Sequence, residues 1–195
     1  MVPFYVAVEG VTDEAVARRI MQYLDCEVSS IISSRGGKTE LKKRLNSYNH
    51  AARLFPWFVL TDLDGLSRCP VELMNDWLPE KESGMCFRIA VCQMESWLIA
   101  SRESLSRYLQ ISLDIIPLNP ETIEYPKNKL VQLANRSRSR EIVKDMVRDN
   151  NKVGIAYPSR IIEFTSKYWD IDEARRHSDS LDRCIKALER VKNQY

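Results

Sequence analysis

The stretch that decides the fold is FYVAVEGVTDEAVARRI, residues 4–20, in which an apolar run gives way to a group of acidic residues. Residues 4–8 are continuously apolar, which predicts a strand that is buried on both faces. The residues TDE at 12–14 suit the start of a helix, because threonine caps free backbone N–H groups and acids favour the positive end of a helix dipole. Glu9 has neither role, since it follows the strand and precedes the cap.

The first 109 residues repeat this alternation of strand and helix patterns. Apolar runs predict strands at Pro3–Val8, Glu27–Ile32, Pro56–Thr61 and Cys86–Cys92. Amphipathic patterns between and after them predict helices at Thr12–Leu24, Lys38–Leu54, Pro70–Leu78 and Met94–Leu109. This order predicts an α/β fold with a mainly parallel open sheet of about four strands, flanked by helices and joined by right-handed crossovers.

The rest of the chain has a different pattern. Several prolines mark a loop between Leu109 and Tyr125, and everything after it has helical periodicity, with predicted helices at Asn128–Asn135, Ser139–Asn150, Pro158–Lys167 and Ser178–Lys192. We therefore predict an α/β metal-site domain over residues 1–109, with a loop and an all-helical C-terminal region over residues 110–195 packed on it.

Composition excludes several classes of protein. The hydrophobic and charged fractions of 44% and 29% are ordinary for a soluble globular protein, and no apolar run approaches the roughly 20 residues of a membrane span. We expect no signal peptide, and five cysteines without a CxxC pair, together with two histidines, offer no zinc site by spacing. Free thiols favour a cytoplasmic location.

Charge is distributed unevenly along the chain. Residues 1–126 carry 13 Lys+Arg and 17 Asp+Glu, a net charge of −4, whereas residues 127–195 carry 16 and 10, a net charge of +6. An acidic first part followed by a basic second part suits a metal site beside a surface that binds a polyanion. A solvated basic helical face is the ordinary alternative.

Acidic residues follow three of the four predicted strands. Glu9 follows the first strand, Asp62 and Asp64 end the third in FPWFVLTDLDG, and Glu95 follows the fourth in FRIAVCQMESWLIA. Ligands of open parallel sheets collect at the carboxyl ends of the strands, and carboxylates that converge there repel one another unless a cation neutralises them. Strand alternation would turn Asp62 and Asp64 to the same side, a spacing that suits Mg²⁺ or Mn²⁺. Alone, each acid also fits a turn or the first turn of a helix.

The segments VEGVTDE and VLTDLDG resemble the Toprim domain, which is shared by topoisomerases, DnaG-type primases, small RNA-processing nucleases and the nuclease half of OLD (overcoming lysogenization defect) proteins. The resemblance covers about residues 1–107. It implies that Glu9 is the Toprim glutamate and that Asp62 and Asp64 are the DxD pair of a Mg²⁺-dependent phosphoryl-transfer site. By similarity with OLD-type members, Asp13 and Glu95 would complete the metal ligands, and Lys127 in YPKNK would be the basic catalytic residue.

A second resemblance rests on the acid-Trp segment MESWLIA, a Pro-Lys motif and the helical tail ARRHSDSLDRC. In these features the whole chain resembles a group of small bacterial Toprim-like proteins of unknown function whose genes often lie beside ATPase genes. This resemblance implies a nuclease that acts on DNA or RNA, with a phage-defence or genome-maintenance role and a partner ATPase. The helical C-terminal region departs from the Toprim pattern, and no ATPase domain is present in the chain.

Two basic segments are candidates for contact with nucleic-acid phosphates. The loop SSRGGKTE places Arg35 and Lys38 after the second strand, on the edge of the sheet that carries the acids. It contains only the end of a P-loop motif. The segment NRSRSREIVKDMVRDNNK adds Arg136, Arg138 and Arg140. In both cases a solvated surface is the structural alternative.

Two other functions fit parts of the sequence. The stretch FVLTDLDGL resembles the DxDG opening of haloacid-dehalogenase-type phosphatases, in which Asp62 would be the nucleophile. Against it, the motif lies on the third predicted strand instead of the first. A non-catalytic or partner-dependent regulatory subunit, whose acids bind Mg²⁺ structurally, is the other alternative.

Overall fold

The computed structural model of the protein describes residues 2–34, 36–65 and 69–195. The first part of the chain contains β1 (Phe4–Val8), α1 (Val11–Tyr23), β2 (Val28–Ser33), α2 (Gly37–Ala51), β3 (Trp57–Asp62), α3 (Pro70–Trp77), β4 (Met85–Ala90), α4 (Met94–Ala100) and α5 (Arg102–Leu109). After two short 3-10 turns come α6 (Pro126–Ala134), α7 (Arg140–Met146), β5 (Val147–Arg148), β6 (Lys152–Val153), α8 (Tyr157–Lys167), α9 (Ile171–His177) and α10 (Asp179–Lys192).

The main sheet is parallel and has the strand order β2-β1-β3-β4. The α/β fold class predicted from the sequence is therefore confirmed. After β1 the chain forms β2, which lies towards one edge of the sheet, and after β3 it forms β4, which lies towards the opposite edge. The carboxyl ends of β1 and β3 consequently flank a topological switch point, where loops diverge and leave a crevice.

Helices cover both faces of the sheet because β1, β3 and β4 are largely apolar and buried on both faces. One face, which includes Val6 and Leu60, packs in a core cluster with α1 and the C-terminal helices. The other face, which includes Ala7 and Val59, packs against α2 and α3. α8 lies on α1, α9 on α4, and α10 along β4. The first core cluster thus runs from the sheet into the C-terminal helices, and the boundary at residue 109 stays a prediction.

Most helix ends lie within three residues of the predicted ones, and two predicted helices differ more. The predicted helix Met94–Leu109 is two helices, α4 and α5, which meet at Ser101. The predicted helix Ser139–Asn150 ends at Met146 and continues into the β5–β6 hairpin, in which Asn150 has a φ of 60°. Asparagine tolerates this left-handed conformation better than most residues, so it suits the turn that joins β5 to β6. The short helix α9 was not predicted.

Glu173 of α9 explains the break between α4 and α5. Its carboxylate is buried and accepts hydrogen bonds from the Ser101 hydroxyl at 2.9 Å and from the Glu103 N–H at 2.5 Å. Both donors belong to the start of α5, where backbone N–H groups lack partners within the helix. A side chain about 70 positions along the sequence therefore caps α5 and ties the C-terminal region to the α/β half.

All five cysteines carry free thiols, as expected, and four of them are buried while Cys69 is exposed. Within the described part of the chain, no helix has both the length and the hydropathy that a membrane span requires.

Replacing Glu173 by alanine should lower the free energy of unfolding by about 3 kcal/mol, because buried N–H groups at the start of α5 lose their acceptor. Urea denaturation followed by circular dichroism measures the loss. Glu80→Ala, at an exposed position, is the matched control and should change stability by less than about 0.5 kcal/mol. Equal effects in the two variants would contradict the capping role.

Candidate metal centre

Glu9 joins the ends of the two strands that flank the switch point. It directly follows β1, and its Oε1 atom accepts hydrogen bonds from the Thr61 hydroxyl and, at 3.1 Å, from the backbone N–H of Asp62. Both donors lie at the end of β3, the neighbour of β1 in the sheet. The side chain is thereby fixed in the crevice where open parallel sheets bind their ligands.

Asp62 is the last residue of β3, and a hydrogen bond ties its side chain to the start of α4. Its Oδ1 atom accepts a hydrogen bond of 2.8 Å from the N–H of Met94, the first residue of α4. Burial raises the pKa of Asp62 well above its ordinary value, and the negative charges of Asp13, Glu95 and Glu9 raise it further. The hydrogen bond from the Met94 N–H lowers the pKa of Asp62, but by less than these effects raise it.

Asp13 belongs to the first turn of α1 and faces the same carboxylates. Burial and the charges of Glu9 and Glu95 raise its pKa to about 7, while a hydrogen bond with the Gly10 backbone and the charge of Lys127 act in the opposite direction. The pKa effects on Asp13 and Asp62 show that four acids from separate elements converge. We call Glu9, Asp13, Asp62 and Glu95 the acid cluster.

Glu95 of α4 is held from the C-terminal region. It is only 4% exposed, and its Oε1 atom accepts a hydrogen bond of 3.1 Å from the hydroxyl of Tyr157 at the start of α8. Burial and the charge of Glu95 raise the pKa of Tyr157 well above its ordinary value, so the phenol stays a donor. Tyr157 was not predicted as a site residue, because no motif links it to an acid 62 positions earlier.

Lys127 lies beside the acid cluster, at the start of α6. Its ammonium group is 5.4 Å from the centre of the Tyr157 ring, within the range of a cation–π contact. Its charge also stabilises the ionised form of Asp13. Lys127 is thus a cation from the C-terminal region placed next to acids of the sheet.

Asp64 is placed differently from the rest of the predicted acids. β3 ends at Asp62, and Asp64 has a φ of 60°, so strand alternation does not set the direction of its side chain. Its half-exposed carboxylate forms an ion pair of 2.7 Å with Lys38, whose ammonium group also bonds the carbonyl oxygen of Asp62 at 2.5 Å. Lys38, a predicted phosphate contact, therefore anchors the loop that carries the DxD pair.

The other predicted phosphate contacts lie at a distance from the acid cluster. Arg136, Arg138 and Arg140 are exposed, between the end of α6 and the start of α7. α6 is nine residues long, so Lys127 and these arginines are separated by about 14 Å along the helix. Arg35 lies outside the described residues.

The acid cluster has the donor chemistry of a site for a hard cation. In each of Glu9, Asp62 and Glu95, one carboxylate oxygen accepts the hydrogen bonds given above. No hydrogen bond from a described residue reaches the other oxygen of these carboxylates. Carboxylate oxygens are the ligands that Mg²⁺ and Mn²⁺ prefer. Among the described residues, no three acidic, His or Cys side chains are already grouped as around a bound ion. The donor chemistry of the acid cluster therefore suits a divalent cation, although its side chains are not grouped as around a bound ion.

Replacing Asp62 by asparagine should stabilise the protein in the presence of a chelator, because the change removes one of four repelling charges and keeps the oxygen that Met94 bonds. We expect the thermal midpoint at pH 8 to rise by at least about 2–4 °C, equivalent to about 1 kcal/mol for a chain of this size. Mg²⁺ should raise the midpoint of the wild type and much less that of the variant. The control is Glu72→Gln, outside the cluster. A lower midpoint for Asp62→Asn would contradict the proposed repulsion.

The stability of the chelated protein should depend on pH through Asp13. The pKa of Asp13 is about 7 in the folded state, against an ordinary value of 3.8. The stability that the protonated carboxyl contributes is therefore complete below pH 3.8 and is lost as pH rises through 7. Asp13→Asn removes this dependence. The variant should therefore gain about 3 kcal/mol relative to wild type between pH 4.5 and pH 7.5, measured by urea denaturation. A constant difference across this range would contradict the assignment.

Comparison with known proteins identifies a fold relative. Neither a protein-family model nor a curated protein matches the chain. Among solved structures, the C-terminal region of the Burkholderia pseudomallei OLD protein is similar, with a TM-score of 0.56 and 14% sequence identity. The match covers 98% of this chain and 99% of that chain, so it extends over the C-terminal helices as well as the sheet. This protein therefore has the fold of an OLD-protein C-terminal region.

Proposed function

We propose that this protein is a Toprim-type nuclease that hydrolyses phosphodiester bonds of DNA or RNA with Mg²⁺ or Mn²⁺ held by the acid cluster. The observation that carries the proposal is the convergence of four carboxylates at the switch point of a parallel sheet, strongly enough to raise the pKa values of Asp13 and Asp62. The fold shared with the C-terminal region of an OLD protein supports it.

The acid cluster supplies the metal ligands in this proposal, one ion being held by Glu9 and Asp62 and a second completed by Asp13 and Glu95. When bound, such ions polarise the scissile phosphate, orient the attacking water and stabilise the leaving oxygen. Asp64 would join the ligands if its carboxylate left Lys38, in keeping with its place in the DxD pair. The other residues orient these carboxylates.

The chain's own residues have three tasks beyond binding the ions. Tyr157 fixes the carboxylate of Glu95 through its hydroxyl. Lys127, which already acts on the charge of Asp13, balances the charge that develops on the phosphate. Glu9 is held at one oxygen by Thr61 and Asp62, so its second oxygen is the one that would take a ligand position or a proton of the attacking water.

The polymeric substrate would extend from the acid cluster along α6. Lys127 starts this helix and the exposed Arg136, Arg138 and Arg140 follow its end, about 14 Å away. Contacts with phosphates at both ends of the helix would hold a nucleic-acid strand across the site, and binding would weaken as salt concentration rises. Lys38 would add a contact if it exchanged Asp64 for a phosphate.

A partner ATPase, a role in phage defence and a cytoplasmic location complete the proposal, on the strength of the sequence resemblance. A phosphatase that uses Asp62 as its nucleophile is the alternative activity. Burial and the neighbouring carboxylates oppose the ionisation of Asp62, and a carboxyl group must be ionised to act as a nucleophile. A subunit that is active only with its partner is the second alternative.

The test is cleavage of supercoiled plasmid, linear duplex DNA and single-stranded RNA by the purified protein with Mg²⁺ or Mn²⁺. We expect cleavage that a chelator stops, and at least about a hundredfold slower cleavage by Asp62→Asn and Glu9→Gln, because the ions contribute several kcal/mol to transition-state stabilisation. Both substitutions keep the oxygens that accept hydrogen bonds, so the fold should be intact by circular dichroism.

The controls separate the alternatives. Glu72→Gln, outside the acid cluster, should cleave at the wild-type rate. Undiminished cleavage by Asp62→Asn would overturn the assignment of the metal centre. Hydrolysis of p-nitrophenyl phosphate that depends on Asp62, without cleavage of any polymer, would establish the phosphatase instead. Absence of both activities until an ATPase is added would establish the partner-dependent subunit.

A further inference from the structure

A cleft of about 480 Å³ opens along the outer edge of β4. β4 is the last strand in the sheet order, and α3 and α10 flank it on opposite faces of the sheet. The floor of the cleft is apolar, with Met74, Ile89 and the exposed Val71, whereas its α10 wall carries Arg183, Lys186 and Arg190. None of these residues belongs to the acid cluster.

The backbone of β4 is unpaired on the side that faces the cleft. The Trp57 N–H donates to the Gly84 carbonyl and the Leu63 N–H to the Ala90 carbonyl, both at 2.9 Å, so even-numbered residues of β4 bond β3. In a parallel strand the alternate residues point the other way. Phe87 and Ile89 consequently present N–H and C=O groups at the outer edge, and no hydrogen bond from a described residue reaches them there. Of the two, Ile89 lines the cleft.

The hydrogen bond at one end of the cleft agrees with an outward direction for the odd-numbered N–H groups. The N–H of Val91, the next odd-numbered residue, points outward and donates to the hydroxyl of Ser180 at the start of α10, at 3.4 Å. α10 thus closes one end of the edge, and the remainder opens between the helices. An unpaired strand edge is a template for another extended chain.

The cleft carries an excess of positive charge. Its described lining contains four cationic side chains, Arg88, Arg183, Lys186 and Arg190, and two acidic ones, Glu121 and Asp179. Glu121 accepts hydrogen bonds from Ser178 and Ser180, and Asp179 pairs with Arg183. Arg190 forms no ion pair with a described residue, and the buried Nε of Arg88 has no hydrogen-bond partner among them. Lys186 pairs with Asp182 at 2.6 Å, so Arg190 and Arg88 are the cations that would attract an acidic occupant.

We propose that the cleft binds an extended acidic segment of a partner protein, which adds to β4 as a fifth strand. A peptide backbone offers the alternating acceptors and donors that Phe87 and Ile89 require, and its acidic side chains would face Arg88, Lys186 and Arg190. Nucleic acid fits less well, because phosphates only accept hydrogen bonds and leave the outward C=O groups unpaired. This inference goes beyond the proposed nuclease activity and uses none of its residues.

The probe is a fluorescein-labelled heptapeptide of alternating Glu and Val with blocked ends, followed by fluorescence anisotropy. We expect saturable binding by the wild type and equal binding by Asp62→Asn. The peptide test is therefore independent of the proposed nuclease activity. Arg88→Gln and the double variant Lys186→Glu/Arg190→Glu should each weaken binding at least about tenfold, because each removes charge-assisted contacts. Lys167→Glu, on the exposed surface of α8, is the matched control and should bind as wild type.

A second peptide tests strand addition itself. Proline at alternate positions of the heptapeptide removes the N–H groups that would pair with the β4 carbonyls, and it should abolish binding. Equal binding of the proline peptide would overturn strand addition. Displacement of the acidic peptide by a single-stranded oligonucleotide at lower concentration would assign the cleft to nucleic acid, against the proposal. Absence of binding to the acidic peptide would also overturn it, leaving the cations as charges that protect an edge strand from aggregation.

Discussion

Repulsion among carboxylates at the switch point is the constraint on which the rest of this structure depends. Glu9, Asp62 and Glu95 are each held at one oxygen by a hydrogen bond from a neighbouring strand or helix. These bonds pre-organise the acids against the repulsion that raises the pKa values of Asp13 and Asp62. A fold selected for stability alone would not keep acids at such positions, and the proposed metal site would give them a function.

The sheet does not build the candidate site by itself. Its edge supplies Glu9 and Asp62, but Tyr157 of α8 orients Glu95, and Lys127 of α6 balances Asp13. Glu173 of α9 sets the end of α4, the helix that carries Glu95. The core cluster that joins the sheet to these helices therefore also fixes the geometry of the site. Loss of the helical region would leave Glu95 without the hydroxyl of Tyr157 and Asp13 without the ammonium group of Lys127.

Local sequence patterns were sufficient for the sheet and for the meeting of the acids. Continuous apolar runs predict buried parallel strands, and the βαβ connection rule places Glu9 and the end of β3 side by side. The contribution of Tyr157 depends on a contact across 62 positions, and the break at Ser101 depends on Glu173, 72 positions away. Neither contact leaves a periodic signal. Strand alternation does not apply to Asp64, because alternation holds only while the strand continues, and β3 ends at Asp62.

β4 shows how one strand can serve two surfaces without conflict. Its inward backbone groups bond β3 and so align the carboxyl end of β3 with Met94, whose N–H holds Asp62. Its outward groups are not needed for this alignment, because a parallel strand needs a partner on one side only to be held in register. An occupant of the cleft would therefore complete the edge without altering the pairing that positions Asp62. At Val91, Ser180 of α10 already takes the last outward N–H.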